Sequence, residues 1–339
     1  MKLCIIIPVF NEEGFIENSI KSIINQTVQP DRVIYVNDSS TDNTKELIND
    51  FSSDCDWICI IIPVFNEEDF IEKSIKSIIN QTVRPDRVIY VNDSSTDNTK
   101  KLINDFSSDC DWIHIIDNES KEEHIPGRKV IEAFNFGLKN LKINYDVICK
   151  FDGDIELPKN YIEKIKNIFL ENSNVGIAGG NLYVSKKGKW VYEKIATKSH
   201  VRGPIKAYRR KCFEDINGLK SAIGWDTVDV LLAQRKGWEI FTDKELIVKH
   251  LKSTGQKYSL KSKFSQGEAL YTMRFGVVLS ILSILKSSIN TNDPLKIIFA
   301  SLGFLISLIK QKPFIVSKEE GMYIRNFRWN VVYNKYLKF

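Results

Sequence analysis

The chain has 339 residues, of which 43% are hydrophobic and 27% are charged, and these ordinary values exclude extended disorder and collagen-like structure. Its length is typical of two domains or of one large α/β domain with additions. The net charge of +5 divides into +10 for residues 241–339 and −5 for residues 1–240, which indicates an acidic body with a basic tail. The bases of the tail are scattered among aliphatic runs, which excludes nucleic acid as the expected partner.

The remaining bulk features indicate an intracellular α/β protein. Six cysteines in a chain of this length do not make a disulfide scaffold, and none stands in a CxxC pair, which disfavours a zinc or redox site. The apolar run at residues 3–7 is followed by Pro and two acids, so we expect a buried strand there and not a signal peptide. A reducing cytoplasm is the expected compartment.

The first third of the chain contains a tandem duplication. Residues 4–58 recur as residues 59–113 with four differences among 55 positions, and two copies are too few for a solenoid. All four differences are polar and are expected to be exposed, so both copies keep the same apolar pattern. They are Gly14/Asp69, Asn18/Lys73, Gln29/Arg84 and Glu46/Lys101.

Each copy predicts a buried strand, a helix, a second strand and a second helix. In the second copy the strand at 59–65 precedes a helix that Asn66 is expected to cap, with Phe70, Ile71, Ile75, Ile78 and Ile79 at helical spacing. The strand at 87–91 precedes a short helix containing Leu102, Ile103 and Phe106. A strand at 113–116, a helix at 128–141 and a strand at 147–151 follow. Alternating strands and helices predict a mostly parallel sheet that is covered on both faces.

Only the second copy runs directly into the third strand of this sheet, so we place the functional site on the second copy. The alternative, with the first copy in the sheet and the second looped out, is permitted because loop-closure entropy grows only logarithmically with length. The predicted domains are therefore an extra copy at 1–58, a catalytic domain at 59–255 and a basic helical tail at 256–339.

Polar residues follow three of the predicted strands. These are Asn66-Glu67, Asp93-Ser94-Ser95 and Asp152-Gly153-Asp154, and ligands of parallel α/β sheets bind beyond the carboxyl ends of the strands. Two carboxylates flanking a glycine can hold a hard cation, so we expect Mg²⁺ or Mn²⁺ as cofactor. The other interpretation of the acidic pair is a solvated turn.

Four segments occur in one order, namely PVFNEE, VNDSSTDNT, KFDGD and GWDTVDVLLAQRKGW. Together they make residues 59–250 resemble the family 2 glycosyltransferases of the GT-A fold. The resemblance implies that Asp93 contacts the base of a nucleotide-sugar donor and Asp152 its ribose. It further implies that Asp154, with Asp152, holds a metal that bridges the two phosphates. The wider donor site would include Pro63, Asn66, Glu67, Arg128 and Lys129, with His250 as a further metal or phosphate contact.

The resemblance also implies a general base at the start of a helix. Counted back from Gly237-Trp238, Asp226 falls on that position, and Asp229 is the reserve candidate. The family has Glu before this Asp, whereas this chain has Trp225. The other interpretation of Asp226 is a helix N-terminal acid favoured by the helix dipole. Arg202, Gly203 and Trp225 are expected on the acceptor side.

The tail contains two apolar segments, residues 275–285 and 297–309, with lysines around them. Both are shorter than the roughly 20 residues that span a bilayer, so we expect a helical hairpin lying in the interface of the membrane. The alternatives are a buried helical pair and a single tilted span through the second segment.

The sequence therefore predicts an inverting transferase that uses a nucleotide-diphosphate sugar, UDP-linked, at the cytoplasmic face of the cell membrane. Asp226 would remove the proton of an acceptor hydroxyl on a glycan or a lipid-linked glycan. A sugar nucleotidyltransferase is a second hypothesis, although PVFNEE is acidic where that class needs a basic phosphate loop. A non-catalytic nucleotide-sugar-binding module is the third.

Overall fold

The structure is a computed structural model that describes residues 3–24, 26, 30, 32–51, 57–119, 127–193, 200–252 and 260–336. The chain divides into two compact units, Met1–Asp56 and Trp57–Phe339. Within the described residues the five cysteines Cys4, Cys59, Cys110, Cys149 and Cys212 are free thiols, as the sequence predicts.

The first unit is a two-stranded parallel sheet with two helices. Its elements are β1 (Cys4–Val9), α1 (Ile16–Ile24), β2 (Arg32–Asn37) and α2 (Thr44–Phe51), and β1 pairs with β2 from Cys4↔Arg32 to Val9↔Asn37. Its small core contains Val9, Ile16 and Ile20. The prediction of a buried strand is wrong for β1, since Ile6 is 64% exposed. Among the described strands β1 pairs only with β2, so of its apolar side chains only Val9 is fully buried.

The second unit contains the rest of the described elements. They are β3 (Ile58–Val64), α3 (Ile71–Ile79), β4 (Arg87–Asn92), α4 (Thr99–Ser107), β5 (Ile113–Asp117), α5 (Arg128–Asn140), β6 (Val147–Phe151), β7 (Ile155–Glu156), α6 (Tyr161–Glu171), β8 (Val175–Lys186), β9 (Lys189–Tyr192), β10 (Ile205–Arg209), α7 (Arg210–Asp215), α8 (Trp225–Arg235), β11 (Glu239–His250), α9 (Leu260–Thr272), α10 (Val277–Thr291), α11 (Leu295–Ile309) and α12 (Lys318–Tyr336).

Nine of the described strands form one sheet in the order β5-β4-β3-β6-β10-β8-β11-β7, with β9 paired to β8. The strands β5, β4, β3 and β6 are parallel, and β10 runs antiparallel to both β6 and β8. Helices cover the sheet, so all seven residues of β3 and all five of β6 are buried. The predicted α/β fold, with a helical C-terminal extension, is confirmed.

The second copy of the duplication lies in this sheet, with β3 between β4 and β6. The positions at which the copies differ are exposed in both, as predicted, although Gln29 lies outside the described residues. The sequence places Val130, Phe134, Leu138 and Leu141 on one face of the helix predicted at 128–141, and the fully buried residues of α5 differ from these in detail. They are Ile131, Ala133, Phe134 and Gly137, because Gly137 packs against Ile61 and Val91.

The tail contains α9, α10, α11 and α12. The two apolar segments form the consecutive helices α10 and α11, and α11 packs against α9. In the described part of the chain no helix combines the length and the apolar character that crossing a membrane requires.

Candidate active site

Two loops, one after β3 and one after β4, are held together by hydrogen bonds. The backbone N–H of Asn66 donates to Ser95 Oγ at 3.1 Å, and Asn66 Oδ1 accepts from the N–H of Thr96 at 2.8 Å. Asn66 has a left-handed backbone with φ 52°, and α3 begins five residues later without a side-chain cap. The prediction that Asn66 caps this helix is therefore wrong, because its amide is used to fix the second loop.

Asp93 lies at the end of β4, where it is 8% exposed. Its backbone N–H donates to the carbonyl of Val64 at 2.9 Å, and its Oδ1 accepts from Asn118 Nδ2 at 3.0 Å. Pro63 lies beside it in β3, paired in register with Val91. The carboxylate is thus fixed at the carboxyl end of β4, and its remaining lone pairs can accept hydrogen bonds from a ligand.

The acidic turn after β6 lies directly against the loop after β3. A Cβ atom at Gly153 would be 2.8 Å from Val64 Cγ1 and 3.7 Å from Glu67 Cγ, so only glycine allows this approach. Asp152 pairs with the buried Lys150, and Asp154 is largely buried. The register of the sheet therefore brings Glu67, Asp152 and Asp154 together.

The three carboxylates of this cluster lie close enough to influence one another. Burial raises the pKa of Glu67 to about 7, and the charges of Asp154 and Asp152 raise it too, while the hydrogen bond from Lys252 opposes them. Glu67 Oε2 is buried without a hydrogen-bond partner among the described residues, and Oε1 accepts from Lys252 Nζ at 3.0 Å. The unpartnered Glu67 Oε2 is an oxygen that a hard cation could bind.

His250 is the last residue of β11, and its ring faces the acidic turn. Its Nε2 is 3.3 Å from Asp154 Oδ2, and its Nδ1 is 3.4 Å from Glu193 Oε2. Burial opposes protonation, but the hydrogen bonds to Asp154 and Glu193 outweigh it and raise the pKa of His250 to about 10. The proton between ring and carboxylate thus occupies a position that a metal ion could take.

The donor set of this pair fits a divalent cation. Two ligands, each about 2.1 Å from one ion, lie about 3 Å apart at neighbouring octahedral positions, close to the separation of Asp154 and His250. A carboxylate on the far ring nitrogen, here Glu193, is the usual partner of a metal-binding histidine. In the described segments no three His, Cys, Asp or Glu side chains group as a complete metal site, so phosphate oxygens and water would supply the other ligands.

Asp226 lies in the first turn of α8, which follows Gly224, a residue with φ 82°. Lys206 Nζ donates to the carbonyl of Asp226 at 2.6 Å and thereby fixes the start of the helix. The Asp226 side chain is half-buried, and so accessible to a substrate.

Asp229, the reserve candidate, is buried and fully engaged. Lys206 Nζ donates to its two oxygens at 2.7 and 2.6 Å, and Tyr208 OH donates to Oδ2 at 2.5 Å. Burial raises the pKa of Tyr208 well above its usual range, and the charge of Asp229 raises it further, so the phenol keeps its proton. This arrangement favours Asp226 over Asp229 as a base.

The segment 202–204 joins the two halves of the site. The carbonyl of Pro204 accepts from the N–H of Asp152 at 3.1 Å, and Arg202 pairs with Glu193 at 3.2 Å. A Cβ atom at Gly203 would lie 3.0 Å from the Trp225 ring and 3.5 Å from Asp226 Cβ. Asp152 and Asp226 are therefore both neighbours of this one short segment.

Two predicted donor residues lie at the start of α5. Arg128 forms an exposed ion pair with Glu132 at 2.7 Å, and Lys129 follows it in the first turn. A Cβ atom at Gly127 would lie 3.3 Å from Ile223 Cα, which places this helix start beside the segment that leads into α8.

Sequence reasoning missed five polar residues of the site. Lys150 and Lys206 are direct partners across β6 and β10, and both place their Nζ 5.2–5.4 Å from the centre of the Trp225 ring. A lysine inside an otherwise apolar strand was the available signal. Glu193, Lys252 and His200 gave no such signal, because their place in the site depends on distant parts of the chain. Burial lowers the pKa of His200, and the charges of Lys206 and Asp226 act on it too.

A parallel sheet with carboxylates beyond the carboxyl ends of its strands places this chain in the class of α/β proteins that bind a ligand there. The profile of glycosyl transferase family 2 matches residues 4–58 and 59–218, and the chain belongs to this family. The predicted resemblance is confirmed. Both copies of the duplication are matched, which agrees with their shared sequence.

Individual relatives are distant. The probable glycosyltransferase YdaM of Bacillus subtilis is 26% identical over 208 residues, covering 54% of this chain and 48% of the relative. The GalNAc(5)-diNAcBac-PP-undecaprenol beta-1,3-glucosyltransferase of Campylobacter jejuni is 29% identical over 133 residues, 39% of this chain and 40% of the relative. The mannosyltransferase PcManGT from Pyrobaculum calidifontis, in complex with GDP-Man and Mn²⁺, aligns with a TM-score of 0.49 and 14% identity, covering 82% and 81%. This chain spans about half or less of the curated relatives it matches.

Proposed function

We propose that the protein is an inverting, metal-assisted glycosyltransferase that moves a sugar from a nucleotide-diphosphate donor, UDP-linked, to an acceptor hydroxyl. The observation that carries the proposal is the Asp154–His250 pair on the acidic turn, whose Asp152 contacts the segment 202–204, which also lies against Asp226. Family membership supports the reaction class. The name of the Campylobacter relative describes a glycan on an undecaprenol diphosphate, which supports a glycan or lipid-linked acceptor.

Donor binding is assigned to the edge of the parallel strands. Asp93, held by Asn118, accepts a hydrogen bond from the base, and Asp152 accepts from the ribose hydroxyls. Asp154 and His250 would hold a divalent cation, and its positive charge would stabilise a diphosphate leaving group. Lys252, fixed on Glu67 at 3.0 Å, adds a second positive charge on the same side.

The transfer step is assigned to Asp226. Its carboxylate accepts the proton of the acceptor hydroxyl while the hydroxyl oxygen forms a bond to the anomeric carbon. The bond from that carbon to the diphosphate oxygen breaks, and the electron pair stays on the diphosphate. One displacement from the opposite face inverts the anomeric configuration, so the protein needs no nucleophile of its own.

The first test is donor binding with a matched pair of variants. Asp93→Asn removes the carboxylate from the base pocket, and Asp38→Asn makes the same change in the same local sequence of the first copy. Loss of a charged hydrogen bond of about 1.5–3 kcal/mol predicts that Asp93→Asn weakens UDP binding about 10- to 100-fold in titration calorimetry with Mn²⁺. Asp38→Asn is expected to bind like the wild type. Equal effects of the two variants would contradict this donor site.

The second test follows release of the sugar from UDP-sugars with and without Mn²⁺. Asp154→Asn is expected to abolish the metal-dependent part of the release, and NMR of the freed sugar should show an inverted anomer. Metal-dependent release that survives Asp154→Asn would remove the metal assignment. UDP binding without any turnover would instead indicate a binding module.

A further inference from the structure

The helices α10 and α11 expose most of their large aliphatic side chains, although Leu279 and Ile284 of α10 are buried. Thirteen leucine, isoleucine and valine side chains on these two helices are between 38% and 77% exposed, among them Ile281, Ile289, Ile298, Leu305 and Ile309. Soluble proteins seldom leave an apolar surface of this extent in contact with water.

Apart from Lys296, the buried residues of α11 are small. They are Ala300, Gly303 and Ser307, and they face α9. A Cβ atom at Gly303 would be 2.0 Å from the carbonyl oxygen of Phe264, and one at Gly267 would be 1.7 Å from that of Ala300. The two backbones are therefore in direct contact, and α11 cannot turn a leucine inward without moving away from α9.

This distribution is the reverse of that of a helix in water, which buries its large residues. Small residues between helices and large aliphatic residues outside are typical of helices that pack together within lipid. The buried Lys296 donates to Ser287 Oγ at 3.2 Å and so ties α11 to α10 as one hairpin.

The charges around the hairpin are positive. Lys286 and Lys310 are exposed at helix positions next to the apolar face, and Asp293 is the only acid between residues 270 and 318. Asp293 is neutralised by Lys263 at 2.7 Å. Phosphates of anionic lipids attract such lysines, which favours a lipid surface over an apolar protein partner.

We infer that the α10–α11 hairpin inserts its outer face into one leaflet of an anionic bilayer, such as the cytoplasmic leaflet, with Lys286 and Lys310 at the lipid phosphates. Each helix has 15 residues and is about 22 Å long, less than the roughly 30 Å of the hydrocarbon core, so the hairpin lies in the leaflet. The inference does not depend on the proposed transfer reaction.

The hairpin is also connected to the start of α8. Gly224 lies two residues before Asp226, and a Cβ atom at Gly224 would be 3.4 Å from Met273, which directly follows α9. Because α9 packs on α11, and its Ala269 would lie 3.8 Å from a Cβ atom at Gly224, a membrane at the hairpin would lie at a fixed distance from Asp226. This arrangement suits an acceptor that is itself anchored in the bilayer.

The test is co-sedimentation of the full chain with vesicles, without donor or metal. The wild type is expected to bind mixed phosphatidylcholine–phosphatidylglycerol vesicles more tightly than pure phosphatidylcholine vesicles. Leu302→Ser/Leu305→Ser is expected to weaken this partitioning at least about tenfold, since it removes two large aliphatic groups from lipid. Leu170→Ser, at a similarly exposed leucine of α6, is the matched control and should bind like the wild type.

Further variants separate the inference from its rivals. Lys286→Glu/Lys310→Glu should lose the preference for anionic vesicles, and Ile298→Trp should add fluorescence that brominated lipids quench. Asp154→Asn should bind vesicles normally even if donor turnover is lost, so the two proposals fail separately. The inference would be overturned if the wild-type protein did not co-sediment with vesicles. It would also be overturned if sedimentation velocity showed that the protein self-associates through this face.

Discussion

The duplication allows one side chain to be tested in two settings with the same local sequence. Ile61 in β3 is fully buried, whereas Ile6, the identical position of β1, is 64% exposed. Ile61→Ala and Ile6→Ala change the same residue of the segment CIIIPV. Strand propensity and effects on the unfolded chain therefore cancel between the two variants, and the difference between them isolates tertiary packing.

The expected magnitudes follow from the contacts. Ile61 packs so closely on α5 that a Cβ atom at Gly137 would be 2.7 Å from Ile61 Cγ2, so truncation leaves a cavity and costs about 2–5 kcal/mol. Ile6 loses about three methylene equivalents that are one-third buried, which at about 0.8 kcal/mol each costs about 1 kcal/mol or less. This loss of free energy of unfolding should be confined to the first unit.

Calorimetry and hydrogen exchange provide the readout. We expect Ile61→Ala to lower the main unfolding temperature by several degrees, and Ile6→Ala to leave it unchanged. Peptides of the two copies are distinguished by mass at Gly14/Asp69, so exchange can be followed in each separately. If Ile6→Ala lowered the main transition as much as Ile61→Ala, the first copy would be the one in the sheet.

Three further predictions concern the site. Asp226→Asn should lower the rate of transfer about 10²- to 10⁴-fold and leave the unfolding temperature unchanged. Asp229→Asn should instead destabilise the protein by about 3–5 kcal/mol, because it leaves a buried lysine without its counter-charge. Equal loss of stability in the two variants would contradict these roles. Gly153→Ala should weaken Mn²⁺-dependent UDP binding by pushing the acidic turn away from β3, and normal binding would show that the close approach is unnecessary. The pKa of Glu67 is raised to about 7 from the usual 4.5, so this carboxyl ionises at lower pH in the unfolded chain than in the folded protein. The free energy of unfolding therefore falls by up to about 3 kcal/mol as the pH rises from about 4.5 to about 7. Glu67→Gln should therefore be more stable than the wild type at about pH 8 in urea unfolding, with the difference lost at about pH 4, while the exposed Glu12→Gln should show none.

The sequence alone was sufficient for the α/β fold and for most of the proposed site. Continuous apolar runs predicted β3, β4 and β6. The acids that follow these parallel strands were expected to lie together at the carboxyl ends of the strands. The sequence could not predict the role of Asn66, because a capping position and a loop-bridging position share the same residue type. It left Asp229 open as a base, because its engagement by Lys206 and Tyr208 is created by β10, a strand 20 residues away in the chain.

What the sequence determined by itself is local: which segments are strands or helices, and which chemistry stands at their ends. The two copies show its limit, since nearly identical sequences give a fully buried β3 and a half-exposed β1. Only the tertiary structure decided which copy has β6 and α5 as neighbours, because burial depends on residues far away in the chain. The same holds for α11, whose apolar face is turned outward by two glycines that bring its backbone against α9.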